Sequence, residues 1–238
     1  MEAHCTRARL LNFAPAFFCP IHSMKTDFQA VLWDFGGVMT TSPFEAFNRY
    51  EVAQGIPRDF IRRVNSTHPE TNAWAQFESN QITLEQFDVA FENETRHAGH
   101  AIPGRIVIEM LSGDVRPRMV EVLKICKLHF RVACLTNNVK AGEGPGMARN
   151  AEKAARVKEV MALFDLVVES SKEGIRKPNP RFYQLACERL GVKPQHAVFL
   201  DDLGINLKSA RDLGMTTIKV NNEQQAIDEL SGVLRIDF

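Results

Sequence analysis

Apolar positions in this chain fall into two patterns. Short, largely apolar runs at 29–33, 131–135, 164–168, 197–200 and 216–220 each end abruptly in polar or glycine residues. That is how strands buried on both faces of a sheet read. The closing residues are Asp34 with Gly36 and Gly37, then Thr136, Asn137 and Asn138, then Glu169 to Ser171, then Asp201 and Asp202, and last Asn221 and Asn222. Between the runs, helical periodicity predicts helices over 117–127, 148–163, 180–190, 205–213 and 223–230. Gly191 and Gly214 stand just past two of them, where a left-handed residue closes a helix. Strands and helices alternating in this order predict an α/β fold, a doubly wound parallel sheet with helices on both faces.

The pattern changes between the first strand and Pro117. From Ser42 to Leu111 no run reads as a strand, and apolar residues recur at helical spacing: Phe44, Phe47 and Tyr50, then Leu84, Phe87 and Phe91. We read 42–111 as a helical cap inserted into a core domain made of 27–41 and 112–238. Residues 1–26 are an N-terminal extension. Arg7 and Arg9 followed by an apolar patch resemble a weak targeting signal, but Pro15 and Pro20 punctuate it, no small-residue cleavage site stands out, and Met24 directly precedes the first strand. Gly142, Gly144, Pro145 and Gly146 read as a loop near the carboxyl end of the second strand.

Composition narrows the function classes. Twenty-nine basic residues balance twenty-nine acidic ones, so no global charge points to nucleic acid or an anionic membrane surface. No stretch reaches the ~18 consecutive apolar residues of a membrane span. Five cysteines without a CxxC pair argue against a disulfide framework or a zinc site and for a reducing, cytoplasmic setting. Nothing in the pattern specifies an oligomer.

In open α/β sheets ligands collect at the carboxyl ends of the strands. Here those ends carry Asp34, Thr136 with Asn137, and Asp201 with Asp202, while Lys177 lies in the loop Gly174-Ile-Arg-Lys-Pro-Asn-Pro180. A carboxylate nucleophile, a hydroxyl and amide for an anion, a lysine and a second carboxylate for a cation make a set suited to phosphoryl transfer. Four segments occur in family order: Asp34-Phe-Gly-Gly-Val38, Leu135-Thr-Asn-Asn138, Arg176-Lys-Pro-Asn-Pro180, and Phe199-Leu-Asp-Asp-Leu-Gly-Ile-Asn-Leu207. On these the chain resembles the haloacid dehalogenase (HAD) superfamily, in the subclass with a helical cap after the first motif. Within it, the chain looks most similar to the phosphatase-like domains of soluble epoxide hydrolases and of acyl-CoA dehydrogenase fusions.

The resemblance implies a Mg²⁺-dependent phosphatase acting on a small phosphorylated metabolite. Asp34 would be the nucleophile, forming an aspartyl phosphate. Thr136 and Asn137 would hold a phosphoryl oxygen, and Lys177 would neutralise charge. Asp34, Asp202 and the carbonyl of Gly36 would bind Mg²⁺, with Asp201 and Asn206 orienting them. One position departs from the family pattern. Its phosphatases usually carry a second Asp two residues after the nucleophile, which protonates the leaving group, and here that position is Gly36. Losing a general acid costs ~10²–10⁴-fold, so slow or restricted turnover is expected unless another group, such as His68 or His97 of the cap, compensates. A 2-haloacid dehalogenase and a catalytically weak phosphate- and Mg²⁺-binding module are the alternatives. Singly, each residue also has a structural reading: Asp34 as a turn residue, Thr136-Asn137 as a helix cap, Lys177 as a solvated charge, and Asp201-Asp202 at a helix start.

Overall fold

The structure is a computed structural model that describes residues 27–139 and 151–238. Five strands, β1 (Ala30–Trp33), β2 (Arg131–Thr136), β3 (Leu166–Glu169), β4 (Ala197–Asp201) and β5 (Thr216–Lys219), form one sheet in the order β3-β2-β1-β4-β5. Every pairing is parallel. All four residues of β1 are completely buried, as befits the central strand of a sheet covered on both sides. The strand order reverses at β1: the chain first runs outward to β2 and β3, then crosses back to β4 and β5. A crevice therefore opens at the carboxyl end of β1, where a ligand can enter between the diverging connections.

After the helices of the insertion described below, α1 to α5, the covering helices are α6 (Pro117–His129), α7 (Ala151–Met161), α8 (Ser170–Glu173), α9 (Pro180–Leu190), α10 (Gly204–Asp212) and α11 (Glu223–Leu234). Met119 and Leu123 of α6, Val160 of α7 and Leu230 of α11 pack on one face of the sheet. Phe182 and Ala186 of α9 and Leu207 and Ala210 of α10 pack on the other. In α9 the buried positions Phe182, Tyr183, Ala186, Cys187 and Leu190 follow the helical period. Asn179 caps its start by accepting from the Arg181 N–H, with Pro180 at the first position. Gly191 closes it at φ +66°.

The third strand begins and ends slightly later than the apolar run suggests, because Asp165 is taken up by the Val132 N–H and Lys127 before the ladder starts. Short α8 has no counterpart among the predicted helices; one turn leaves too little periodicity to read. The glycine-rich loop at 142–146 and the start of the helix expected from 148 lie outside the described residues, as does the N-terminal extension.

Between β1 and α6 lie α1 (Pro43–Ala53), α2 (Phe60–Ser66), α3 (Ala73–Glu78), α4 (Leu84–His97) and α5 (Gly104–Glu109). Phe87 and Phe91 of α4, one turn apart, are completely buried, with Phe77 stacked on Phe87 at 4.6 Å and Trp74 edge-on to Phe87 at 5.5 Å. Buried Glu51 of α1 accepts the Asp59 and Ile61 N–H groups at 2.7 and 2.8 Å, tying α1 to the start of α2. Thr83 and Gln86 close the start of α4 with a reciprocal capping box. No helix among the described residues is long and apolar enough to cross a membrane.

Candidate active site

The register of the sheet assembles the site. Trp33 of β1 pairs with Cys134 of β2 and Leu200 of β4, so Asp34 and Asp201 stand level at the carboxyl edge, and Thr136 ends β2 two residues past Cys134. Asp34 continues the ladder through its N–H to the Leu200 carbonyl at 2.8 Å. One carboxylate oxygen, Oδ1, accepts the Phe35 N–H at 2.6 Å and lies 2.9 Å from Lys177 Nζ. The lysine also reaches Asp201 Oδ2 at 2.7 Å. Lys177 is therefore a buried bridge, 1% exposed, and not the solvated loop charge that an isolated lysine in a loop suggests.

Asp201 is enclosed. Its Oδ1 accepts the Leu203 N–H at 2.7 Å, and Asn206 Nδ2 donates to both carboxylate oxygens at 3.1 and 3.0 Å. Asn206 is held in turn, since its carbonyl accepts the Tyr183 hydroxyl at 2.9 Å. These bonds fix the first turn of α10, so the helix-start reading of Asp201 and its place beside Lys177 are both true. Asn137 spends its side chain on the backbone: Nδ2 donates to the Lys177 carbonyl at 3.0 Å and Oδ1 accepts the Lys177 N–H at 2.9 Å. No helix starts at Thr136 and Asn137 among the described residues. Thr136, at the end of β2 and 3% exposed, lines the cavity beside Asp34.

Asp202 sits against Gly37. A Cβ at Gly37 would lie 2.2 Å from Asp202 Oδ2, and φ there is +74°. Any side chain at 37 would displace this carboxylate, which accounts for the second glycine. Gly36 is different: a Cβ built there meets nothing within 4 Å, so a side chain is absent at 36 without any steric demand for its absence.

Asp34, Asp201 and Asp202 offer carboxylate oxygens within 4.8 Å of one another. Three carboxylates against one ammonium leave two negative charges if all ionise, and the protonation equilibria record the conflict. Burial raises the Asp34 carboxyl well above its ordinary range and Asp201 and Asp202 push the same way, while Lys177 draws it down. Burial and Asp201 push Asp202 up to about 7. Burial disfavours the Lys177 ammonium, but Asp201 and Asp34 outweigh it and hold the lysine charged. A cluster of hard oxygen donors with unmet negative charge fits a divalent cation such as Mg²⁺.

Asp34 and Asp202 open into a cavity of about 460 Å³, with Asp201 enclosed behind them. Its floor is formed by the strand ends. Its roof comes from the helical insertion: Phe44, Phe47, Trp74 and Leu111 supply an apolar wall, with Arg62 and Glu78 among them. His68 and His97, considered as proton donors from their residue type, do not reach it. Both are exposed and line a separate surface hollow with Asn72 and Glu94. Residue type gave no way to place them, because positions in a helical insertion acquire a direction only when the helices pack.

Two features went unassigned in the sequence although both lie within the quoted motifs. Asn138 Nδ2 donates to Glu169 Oε2 at 2.8 Å, and its Oδ1 accepts from the Ser171 N–H and hydroxyl at 3.2 and 2.9 Å. It thereby locks the end of β2 to α8. Arg176 leaves the core altogether, pairing with Glu78 of α3 and donating to the Pro69 carbonyl at 3.1 Å. Burial raises the Glu78 carboxyl while Arg176 and the Trp74 indole oppose the rise.

Comparison with known proteins adds the following. The family model of haloacid dehalogenase-like hydrolases matches residues 28–214. The chain is 33% identical over 219 residues to acyl-CoA dehydrogenase family member 10 of Mus musculus, covering 90% of this chain and 20% of that protein. It is 30% identical to bifunctional epoxide hydrolase 2 of Mus musculus, covering 87% of this chain and 39% of that protein. The chain thus spans well under half the length of either relative. Other similar proteins are named as phosphatases and one as an (S)-2-haloacid dehalogenase. The HAD-hydrolase YfnB of Bacillus subtilis, solved bound to magnesium, shares the fold at a TM-score of 0.60 and 17% identity, covering 88% of this chain and 99% of that one.

Proposed function

The chain belongs to the haloacid dehalogenase-like hydrolases, and from that premise we propose that it is a Mg²⁺-dependent phosphatase of small phosphomonoesters. The observation that carries the reading is the clustering of Asp202 with Asp34 and Asp201 around a single lysine. A nucleophilic carboxylate needs one charge partner. A third carboxylate at the cavity face adds repulsion that a divalent cation relieves, and the same cation neutralises a phosphate dianion. A 2-haloacid is itself an anion, and a site holding surplus carboxylates would repel it. Relatives named as phosphatases support the same choice.

In this reading Asp34 attacks phosphorus, the bond from phosphorus to the leaving alkoxide breaks, and the phosphoryl group is held on Asp34 as an acyl phosphate. Water then attacks that phosphorus and frees the carboxylate. Asp34 and Asp202, with the Gly36 carbonyl, would hold Mg²⁺, which when bound offsets phosphoryl charge. Lys177 keeps Asp34 oriented and balances its charge, and Thr136 offers a hydroxyl to a phosphoryl oxygen. Asn137 acts through the Lys177 backbone, and Asp201 and Asn206 fix the lysine and the start of α10. Gly36 supplies no proton to the alkoxide, so esters with good leaving groups are the favoured substrates. The helical insertion acts as the cap that selects among them.

The test is release of phosphate from p-nitrophenyl phosphate and a phosphomonoester panel, with Mg²⁺ and with chelator, using Asp34→Asn as the blank. Mg²⁺-dependent release absent from the blank is the expected result. Halide release from 2-chloropropionate in chelator, without phosphate release, would replace this reading with the dehalogenase.

A further inference from the structure

Arg176 and Lys177 are consecutive, yet their side chains serve different bodies. Lys177 turns inward to Asp34 and Asp201. Arg176 turns outward, pairing with Glu78 at the end of α3 and with the Pro69 carbonyl just before it. The backbone between them cannot slide, because Asn137 holds both the N–H and the carbonyl of Lys177. The pair is shielded, with the Arg176 and Glu78 side chains 17% and 9% exposed. In such a pair each charge depends on the other, because removing one strands its partner in a poorly solvated place. Trp74 stands one turn before Glu78 and packs on the rings of Phe87 and Phe91, so the pair connects the aromatic centre of the insertion to the lysine loop. Where the chain leaves and re-enters the core, Thr41 bonds Asp114 and Thr40 bonds Arg116, both within the core itself. Those bonds fix the connection without reaching the helices of the insertion, and Val139, just after β2, adds an apolar contact to the aromatic cluster. The Glu78–Arg176 contact lies across the cavity, and both residues line it.

We propose that Arg176 is a positioning residue, whose ion pair with Glu78 seats the helical insertion over Asp34 and so sets how tightly the cavity holds the alcohol portion of a substrate. This rests on the phosphatase reading for its substrate half and on geometry alone for its seating half. Neither side chain is among the groups bonded to the Asp34 carboxylate or the Lys177 ammonium. Loss of the pair therefore weakens grip on bulky alcohol groups that reach Phe44 and Trp74 and spares the phosphoryl centre.

The experiment compares wild type with Arg176→Gln, Glu78→Gln, the double variant and Arg176→Lys. Hydrogen exchange is followed at α3, α4 and β1, and kinetics are measured with naphthyl phosphate and acetyl phosphate. Each single variant is expected to speed exchange at α3 by about tenfold or more while α4 and β1 stay protected. KM for naphthyl phosphate is expected to rise about tenfold, with kcat for acetyl phosphate changed less than about twofold. The double variant should be no worse than either single one, since both remove the same contact, and Arg176→Lys should restore part of the loss by keeping the charge without the fork. Unchanged exchange at α3, loosening of α4 together with α3, or additive losses in the double variant would each overturn the seating. If wild type releases no phosphate from any ester, the phosphatase reading and the substrate half fall together, and exchange at α3 still decides the seating.

Discussion

The floor and the roof of the cavity are stabilised in different ways. On the floor, polar groups are buried and tightly partnered: Asp201 takes bonds from Lys177, Leu203 and Asn206, and Asn137 pins the Lys177 backbone at two points. On the roof, aromatic rings do the packing, and among the described residues the shielded Arg176–Glu78 pair and the packing of Val139 reach across to the core. A hydrogen-bonded floor holds its atoms to fractions of an ångström, which phosphoryl transfer needs because its catalysis is largely positioning and charge neutralisation. An apolar roof is tolerant of shape and can follow the substrate. On the proposed function, chemistry and selectivity fall to two kinds of packing.

The comparison breaks first at the nucleophile. Asp34→Asn is expected to cut phosphate release from p-nitrophenyl phosphate by on the order of 10⁴-fold or more, with the fold intact by circular dichroism. Substantial residual turnover would move the chemistry away from the floor. The counterpart on the roof is Phe87→Ala. Phe87 is fully buried among Trp74, Phe77 and Phe91, so truncation should cost about 3–5 kcal/mol. Hydrogen exchange should place that loss in α4 and α3 and leave β1 and β4 protected. A loss shared equally by the sheet would mean that floor and roof form one cooperative body.

Gly36→Asp sharpens the contrast from the floor. A Cβ at 36 meets nothing within 4 Å, so an aspartate can be introduced there without a clash at its first carbon. Hydrolysis of alkyl phosphates should rise by about 10²-fold, with little change for p-nitrophenyl phosphate, whose leaving group needs no proton. Equal gains on both substrates would point to a binding effect instead.

The smallest effect calibrates stability away from the cavity. Asp165 is half exposed beside Lys127 and accepts the Val132 N–H. Partial burial pushes its carboxyl up, but Lys127 and the backbone bond outweigh it and lower it from 3.8. A lowered folded value means that its contribution is complete above the unfolded value near 3.8 and is lost as pH falls through the folded value. Asp165→Asn should therefore cost less than ~1 kcal/mol at neutral pH. The difference from wild type should shrink as the solution is acidified below 3.8 and as salt is added, with activity unaffected.

Much of the floor is legible from the chain, because a buried parallel strand needs an unbroken apolar run, and whatever polar residue ends that run stands at the sheet edge. Asp34, Thr136 and Asp201 announce themselves in this way. Lys177 does not: as a loop lysine it reads as solvated, and its burial follows from two carboxylates that arrive on β1 and β4. Arg176 and Asn138 sit inside recognisable motifs, yet their partners, Glu78 and Glu169, are 98 and 31 residues away, and no local pattern connects them.

The sequence by itself determined the alternation of strands and helices, the helical stretch after the first strand, and the residue types at the strand ends, since each follows from hydrophobic period and local backbone preference. Only the tertiary structure decided which charges share one pocket, that Asp202 nests on Gly37, that Gly36 has room beside it, and that His68 and His97 face elsewhere. Those outcomes depend on distances between segments far apart in the chain. Such distances are set by how the helices and the sheet pack together, and local periodicity carries no record of them.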